Sequence, residues 1–125
     1  LNTPPTFSWY FAGKVFKWIK RSGGLDHFEA LNKKEAEKLY DFIDSSDFYV
    51  NNLQKSQRSL MNVTFNLKND DLNSSFLDES KANSLLNLKG HALVGGMRAS
   101  IYNAMPEEGV TKLIQFMSEF ESKYG

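Results

Sequence analysis

Cysteine is absent from this chain, which removes disulfide staples, thiolate metal sites and cysteine nucleophiles from consideration. Only two histidines occur, His27 and His91, so a histidine-rich metal centre is excluded as well, and no metal site is expected. There is no excess of either charge: fifteen basic and fifteen acidic residues give a formal net charge of zero, with no general attraction to nucleic acid or to an anionic membrane. No apolar run approaches the ~20 residues of a membrane span, and the N-terminus lacks the basic and apolar regions of a signal peptide. These absences point to a cytoplasmic protein. What remains, 125 residues without repeats or low-complexity segments, suffices for one modest core.

The periodicity reads as helix, helix, strand, strand, helix, strand, strand, helix. Asn2 to Thr6 is extended, because each proline turns the residue before it away from helix, and Thr6 suits an N-cap. From Phe7 to Ser22, Ala12, Val15, Phe16 and Ile19 form an amphipathic stripe that Gly23-Gly24 ends. A second helix over Leu25 to Asp44 buries Phe28, Leu31, Leu39, Phe42 and Ile43, with the charged stretch from Asn32 to Lys38 as its wet middle. Phe48 to Val50 is a short strand. In Leu60 to Leu67, Met61, Val63, Phe65 and Leu67 alternate with Asn62, Thr64 and Asn66, the mark of a half-buried strand.

Asn69-Asp70-Asp71 caps a third helix, Asp71 to Ala82, with Leu72, Phe76 and Leu77 inward. Leu85 to Lys89 is expected to be a strand. Pro106 opens a last helix with Val110, Leu113, Ile114, Met117, Phe120 and Tyr124 on its apolar side. Strands interspersed with packing helices predict an α+β domain, with a small, mostly antiparallel sheet covered on one face.

The chemistry concentrates in Lys89 to Met105, KGHALVGGMRASIYNAM. If Met97 to Tyr102 is a strand, Met97, Ala99 and Ile101 face the core. Arg98, Ser100 and Tyr102 then face away, and a guanidinium stands where a carboxylate or phosphate could be held by two parallel hydrogen bonds. Gly95-Gly96 permits a tight bend just before it. On these residues alone, a solvated surface arginine and a structural histidine are the more ordinary readings of Arg98 and His91.

This stretch resembles the C-terminal signature of the phosphoserine aminotransferase family, K-G-H-R-x-V-G-G-(M/I)-R-A-S-(I/L)-Y-N-A. The resemblance extends from Asn2-Thr3-Pro4-Pro5-Thr6, through Arg58-Ser59 and Met61-Asn62-Val63, to the last helix. It implies the C-terminal part of a fold type I aminotransferase, a longer pyridoxal 5'-phosphate enzyme. Such an enzyme moves an amino group between L-glutamate and 3-phosphohydroxypyruvate, giving O-phospho-L-serine and 2-oxoglutarate in serine and vitamin B6 biosynthesis. Residues 1–24 would then end the large domain and 25–125 would form the small one.

The same resemblance gives roles. Asn2 and Thr3 would reach the cofactor phosphate of the neighbouring subunit, in a homodimer with shared active sites. Arg98 would hold the substrate α-carboxylate, and His91 the distal acid of phosphoserine or glutamate. The lysine that carries the cofactor would lie upstream of Leu1, so no catalytic residue falls in this chain and the chain by itself is expected to be inactive. It is also expected to self-associate through its apolar first helix. Ala92 stands where the family has arginine, Ser84 where glycine is common and Thr64 where proline is common. Ala92 opens a second reading, the same fold and cofactor with another acidic amino acid as substrate. A third reading is a non-catalytic α+β binding module.

Overall fold

The structure, a computed structural model, describes residues 3–125. The chain divides into two compact units, one running through Leu31 and the other spanning Asn32–Gly125, and the division falls within a helix. The first unit contains α1, Thr6–Arg21, and the start of α2, Gly24–Ser45. The second contains the rest of α2, strands β1 (Tyr49–Val50), β2 (Asn62–Leu67) and β3 (Met97–Ser100), and helices α3 (Asn73–Ala82) and α4 (Glu107–Tyr124).

In the first unit, α1 begins at Thr6 itself with Pro5 as the flanking residue, so Thr6 is not its cap. Proline is at home there because the first helical amides need no intrahelical acceptor. Phe7, Trp9, Tyr10, Phe11 and Phe16 are all exposed, which leaves the expected stripe only half covered through Ala12, Val15 and Ile19. Gly23, at φ 109°, turns the chain between the helices, and Trp18 packs on Phe28 with ring centroids 4.8 Å apart.

In the second unit the three strands run in the order β1-β2-β3, both pairs antiparallel. The alternation in β2 sets the architecture: Val63, Phe65 and Leu67 are buried, while Asn62, Thr64 and Asn66 lie on the other face. In β3 the same rule buries Met97 and Ala99 and turns out Arg98 and Ser100. Against the apolar face pack Leu39 and Ile43 of α2, Phe76 of α3, and Val110, Leu113, Phe116, Met117 and Phe120 of α4. Phe76 is the hub, with the rings of Tyr49, Phe65, Phe116 and Phe120 all within 6.1 Å and all edge to face. The buried Tyr49 hydroxyl donates to the Met117 carbonyl at 2.9 Å, and burial pushes its pKa far up.

Several expectations are corrected. Leu85 to Lys89 is not a strand, because Ser84 and Asn87 sit at φ 62° and 63° and break the extended backbone. Only a single bridge, Lys89 to Met97, and the Arg98 amide on the Leu88 carbonyl join it to the sheet. β3 ends at Ser100, two residues early. Asn69 caps a short 3-10 turn, Asp70–Leu72, by accepting from the Asp71 amide, and α3 follows that turn. Pro106 precedes α4 rather than opening it. Phe116 joins the buried face of α4, whereas Tyr124 remains exposed and ties α4 to α3 through its hydroxyl on Glu79.

The middle of α2 is not uniformly wet. Glu35 and Ala36 are fully buried, because a helix returns a side chain to the core-facing stripe every three or four positions even inside a charged run. Both carboxylate oxygens of Glu35 lack a hydrogen-bond partner, and burial, helped by the nearby Glu107 charge, pushes its pKa up.

Candidate functional site

A cavity of about 330 Å³ opens on the polar face of the sheet, lined by His91 and Arg98 together with Asn51, Asn52, Thr64 and Asn66. Antiparallel pairing puts Thr64 directly opposite Arg98, and the Arg98 amide on the Leu88 carbonyl ties down the outer side of β3, the edge strand, so the guanidinium rises from a held backbone. Arg98 is half-buried, and its Nε is buried with no hydrogen-bond partner. A buried N–H left without an acceptor costs about 1–3 kcal/mol, so this one favours any acceptor brought into the cavity. A second, more apolar cavity of about 390 Å³ lies beside the first and is also lined by Arg98, with Leu85 to Leu88, Tyr102 and the start of α4 around it.

His91 comes to the first cavity on a loop that glycine makes possible. The loop closes at its base where the Gly90 amide donates to the Gly96 carbonyl at 2.8 Å, and a Cβ at Gly90 would collide with the Gly95 carbonyl oxygen. Gly96 lies at φ 64°, where any side chain is strained, and a Cβ there would strike the Asn66 side chain. Between them the His91 carbonyl accepts from the amides of Val94 and Gly95 at 3.0 and 2.8 Å. The backbone is thus folded tightly enough to bring an imidazole and a guanidinium to one concavity.

His91 and Arg98 both line this cavity. Thr3 lies in the other unit and is exposed; Asn2 lies outside the described residues. The amide and hydroxyl groups of Asn51, Thr64 and Asn66 had not been singled out. The signal for two of them was present in the β2 alternation, since a polar residue facing outward on the strand beside Arg98 must share its face. Asn51 is spoken for: its amide donates to the Thr64 carbonyl at 2.5 Å while its oxygen accepts from the Leu53 amide at 2.8 Å. Among the described residues no cluster of histidine and acidic side chains suits a metal, and no helix is long and apolar enough to cross a membrane.

The arrangement is that of an oxyanion receptor. It offers one permanent cation in a planar fork, one imidazole and neutral amides, with no carboxylate among the lining residues. Arg58, the other arginine of interest in the sequence, is committed elsewhere. It makes two 2.7 Å bonds to Asp44 and stacks 4.6 Å from the Tyr40 ring, and this holds the Asp44 pKa below the usual carboxylate range.

The aminotransferase class-V family profile matches residues 1–113. A phosphoserine aminotransferase of Buchnera aphidicola from Acyrthosiphon pisum is 57% identical over 124 residues, covering 99% of this chain and 34% of its own length. That of Coxiella burnetii is 56% identical over 125 residues, covering all of this chain and 35% of its own. Among solved structures, the phosphoserine aminotransferase of Bacillus circulans subsp. alkalophilus superposes with a TM-score of 0.95 at 44% identity, over 99% of this chain and 35% of that one. The pyridoxal-phosphate-bound enzyme of Trichomonas vaginalis does so at 0.87 and 46%, over 94% and 34%. The chain thus spans about a third of the length of the relatives it matches.

Proposed function

The chain belongs to the class-V aminotransferases, and we propose that it forms the C-terminal third of a pyridoxal-phosphate-dependent phosphoserine aminotransferase. The observation that carries this reading is the Arg98 guanidinium, whose buried Nε waits without an acceptor in a cavity shared with His91. Identities of 56–57% along the whole chain support it.

In this reading the enzyme interconverts L-glutamate and 3-phosphohydroxypyruvate with 2-oxoglutarate and O-phospho-L-serine, for serine and vitamin B6 synthesis, in the cytoplasm. Arg98 grips the α-carboxylate through its fork and fixes the orientation of the α-carbon. His91 donates to the distal phosphate or carboxylate. When bound, the cofactor supplies the electron sink that lets the α-proton leave and the amino group transfer. Asn2 and Thr3 donate to its phosphate in the neighbouring subunit of a homodimer, and the exposed Thr3 hydroxyl has the donor chemistry for that task. The lysine that carries the cofactor comes from the preceding part of the enzyme, so this chain alone is inactive. Residues 1–24 complete the large domain and 25–125 form the small one.

Ala92 favours a narrower second reading. It is exposed next to His91, so no permanent cation follows the histidine. Phosphate recognition then leans on basic groups of the large domain, or the preferred substrate is another acidic amino acid. In the complete enzyme, faster turnover of phosphoserine than of aspartate, and a lower KM for phosphoserine in Ala92→Arg, are expected. Faster turnover of aspartate would transfer the proposal to the second reading. No amino transfer from either amino acid would overturn both and leave the binding module.

A further inference from the structure

The ring of His91 is held by a bond that decides its chemistry. The Leu93 amide donates to His91 Nδ1 at 3.2 Å. A nitrogen that accepts cannot carry the proton, so in the neutral ring the proton must sit on Nε2. Three hydrogen bonds of the loop therefore converge on one residue: the amides of Val94 and Gly95 on the His91 carbonyl, and the amide of Leu93 on its ring. The Leu93 side chain is 90% exposed and Val94 83%, so apolar packing at the tip does not hold this turn; its backbone amides do.

We infer that the Leu93 N–H is a positioning group that locks His91 as the Nε2–H tautomer and presents it to the cavity as a neutral hydrogen-bond donor. This rests on reading the cavity as an oxyanion site, and it adds a division of labour there. Arg98 supplies the charge. His91 supplies direction, a single N–H whose line is set by the turn rather than by a counter-ion. The opposite tautomer would put a lone pair on Nε2 and turn the same residue into an acceptor, which repels an oxyanion. A residue with a side-chain acceptor at the Nδ1 position keeps the turn, and one with a donor at the Nε2 position keeps the ligand contact. His91→Asn and His91→Gln separate the two.

The test is nitrogen-15 NMR of the complete enzyme, labelled at histidine and leucine, at a pH where the imidazole is neutral, with amide hydrogen exchange at Leu93 in the parent, His91→Asn and His91→Gln. The expected result is a bare Nδ1 and a protonated Nε2. Leu93 exchange should be slowed about five- to tenfold in the parent and in His91→Asn relative to His91→Gln, as one ordinary hydrogen bond allows. A proton on Nδ1, or equal Leu93 exchange in all three proteins, would overturn the assignment. Neither readout involves amino transfer. A wrong tautomer in an active enzyme sinks only this inference, and an inactive enzyme with the expected tautomer sinks only the function.

Discussion

The two faces of the three-stranded sheet use polar atoms in opposite ways. On the buried face the aromatic hydroxyls are satisfied: Tyr49 donates to the Met117 carbonyl and Tyr40 to the Ser59 carbonyl. On the open face Arg98 keeps a buried Nε with nothing to bond, beside an imidazole and a row of amides. Well-packed aromatics stabilise; an orphaned donor costs stability. The contrast teaches that the first face holds the strands rigid enough for the second to keep an unsatisfied donor in place.

The largest effect that would test this contrast is at Phe76. Truncation to alanine removes the ring on which the sheet and the rings of α4 converge, and should lower stability by about 3–5 kcal/mol in chemical denaturation. A loss below about 1 kcal/mol would mean that the buried face is not what holds the sheet. Arg98→Met should behave in the opposite sense. It deletes an unsatisfied donor, so the isolated chain should keep or slightly gain stability, while the complete enzyme should lose roughly 10- to 150-fold in affinity for its amino-acid substrate, the ~1.5–3 kcal/mol of a charged hydrogen bond. If Arg98→Met instead unfolded the chain as Phe76→Ala does, the open face would be structural and the proposed site would fail.

How much of this the sequence disclosed follows from which rules operate locally. The alternation in β2 and β3 was legible because period two leaves no choice of face once one side is buried, and it placed Arg98 correctly. The α4 stripe was legible for the same reason at period 3.6. The segment Leu85 to Lys89 was misread because three leucines in five residues look like a strand, while the left-handed backbone of Ser84 and Asn87 carries little composition signal where glycine does not mark it. Glu35 was misread because a charged run hides the positions that the helix rotates inward, Glu35 and Ala36. The Leu93 contact to the His91 ring was invisible, since a backbone amide has no letter of its own.

Glu35 breaks the contrast from the other side: it is a charge on the buried side with no partner. Its folded pKa lies above the ordinary 4.5, raised first by burial and then by Glu107 on α4, with Lys34 opposing. The folded state therefore binds the proton more tightly than the unfolded one. Stability from this group is fully present below pH 4.5 and is lost as pH rises through the raised value. Glu35→Gln keeps the shape without the ionisation. It should gain about 1 kcal/mol at neutral pH, with the gain vanishing toward the acid end of the denaturation series. A gain that did not depend on pH would mean that Glu35 is not ionising in place.

The smallest effect concerns the passage from the buried face to the open one. The Leu85 amide donates to the Ser80 carbonyl at 2.8 Å and the Ser84 amide to the Lys81 carbonyl at 2.9 Å, the paired bonds of a helix end whose turning residue must be left-handed. Ser84 is that residue, at φ 62°. A side chain there is opposed by contact of Cβ with the backbone, and glycine relieves it. Glycine also frees the unfolded chain, which offsets part of the gain, so Ser84→Gly should add only about 0.5 kcal/mol to stability. Ser84→Ala should add nothing, because it keeps Cβ and removes only the hydroxyl. If alanine stabilised as much as glycine, the strain would reside in the hydroxyl and not in the backbone. Equal loss from both would mean that the serine hydroxyl makes a contact that matters more than the left-handed turn.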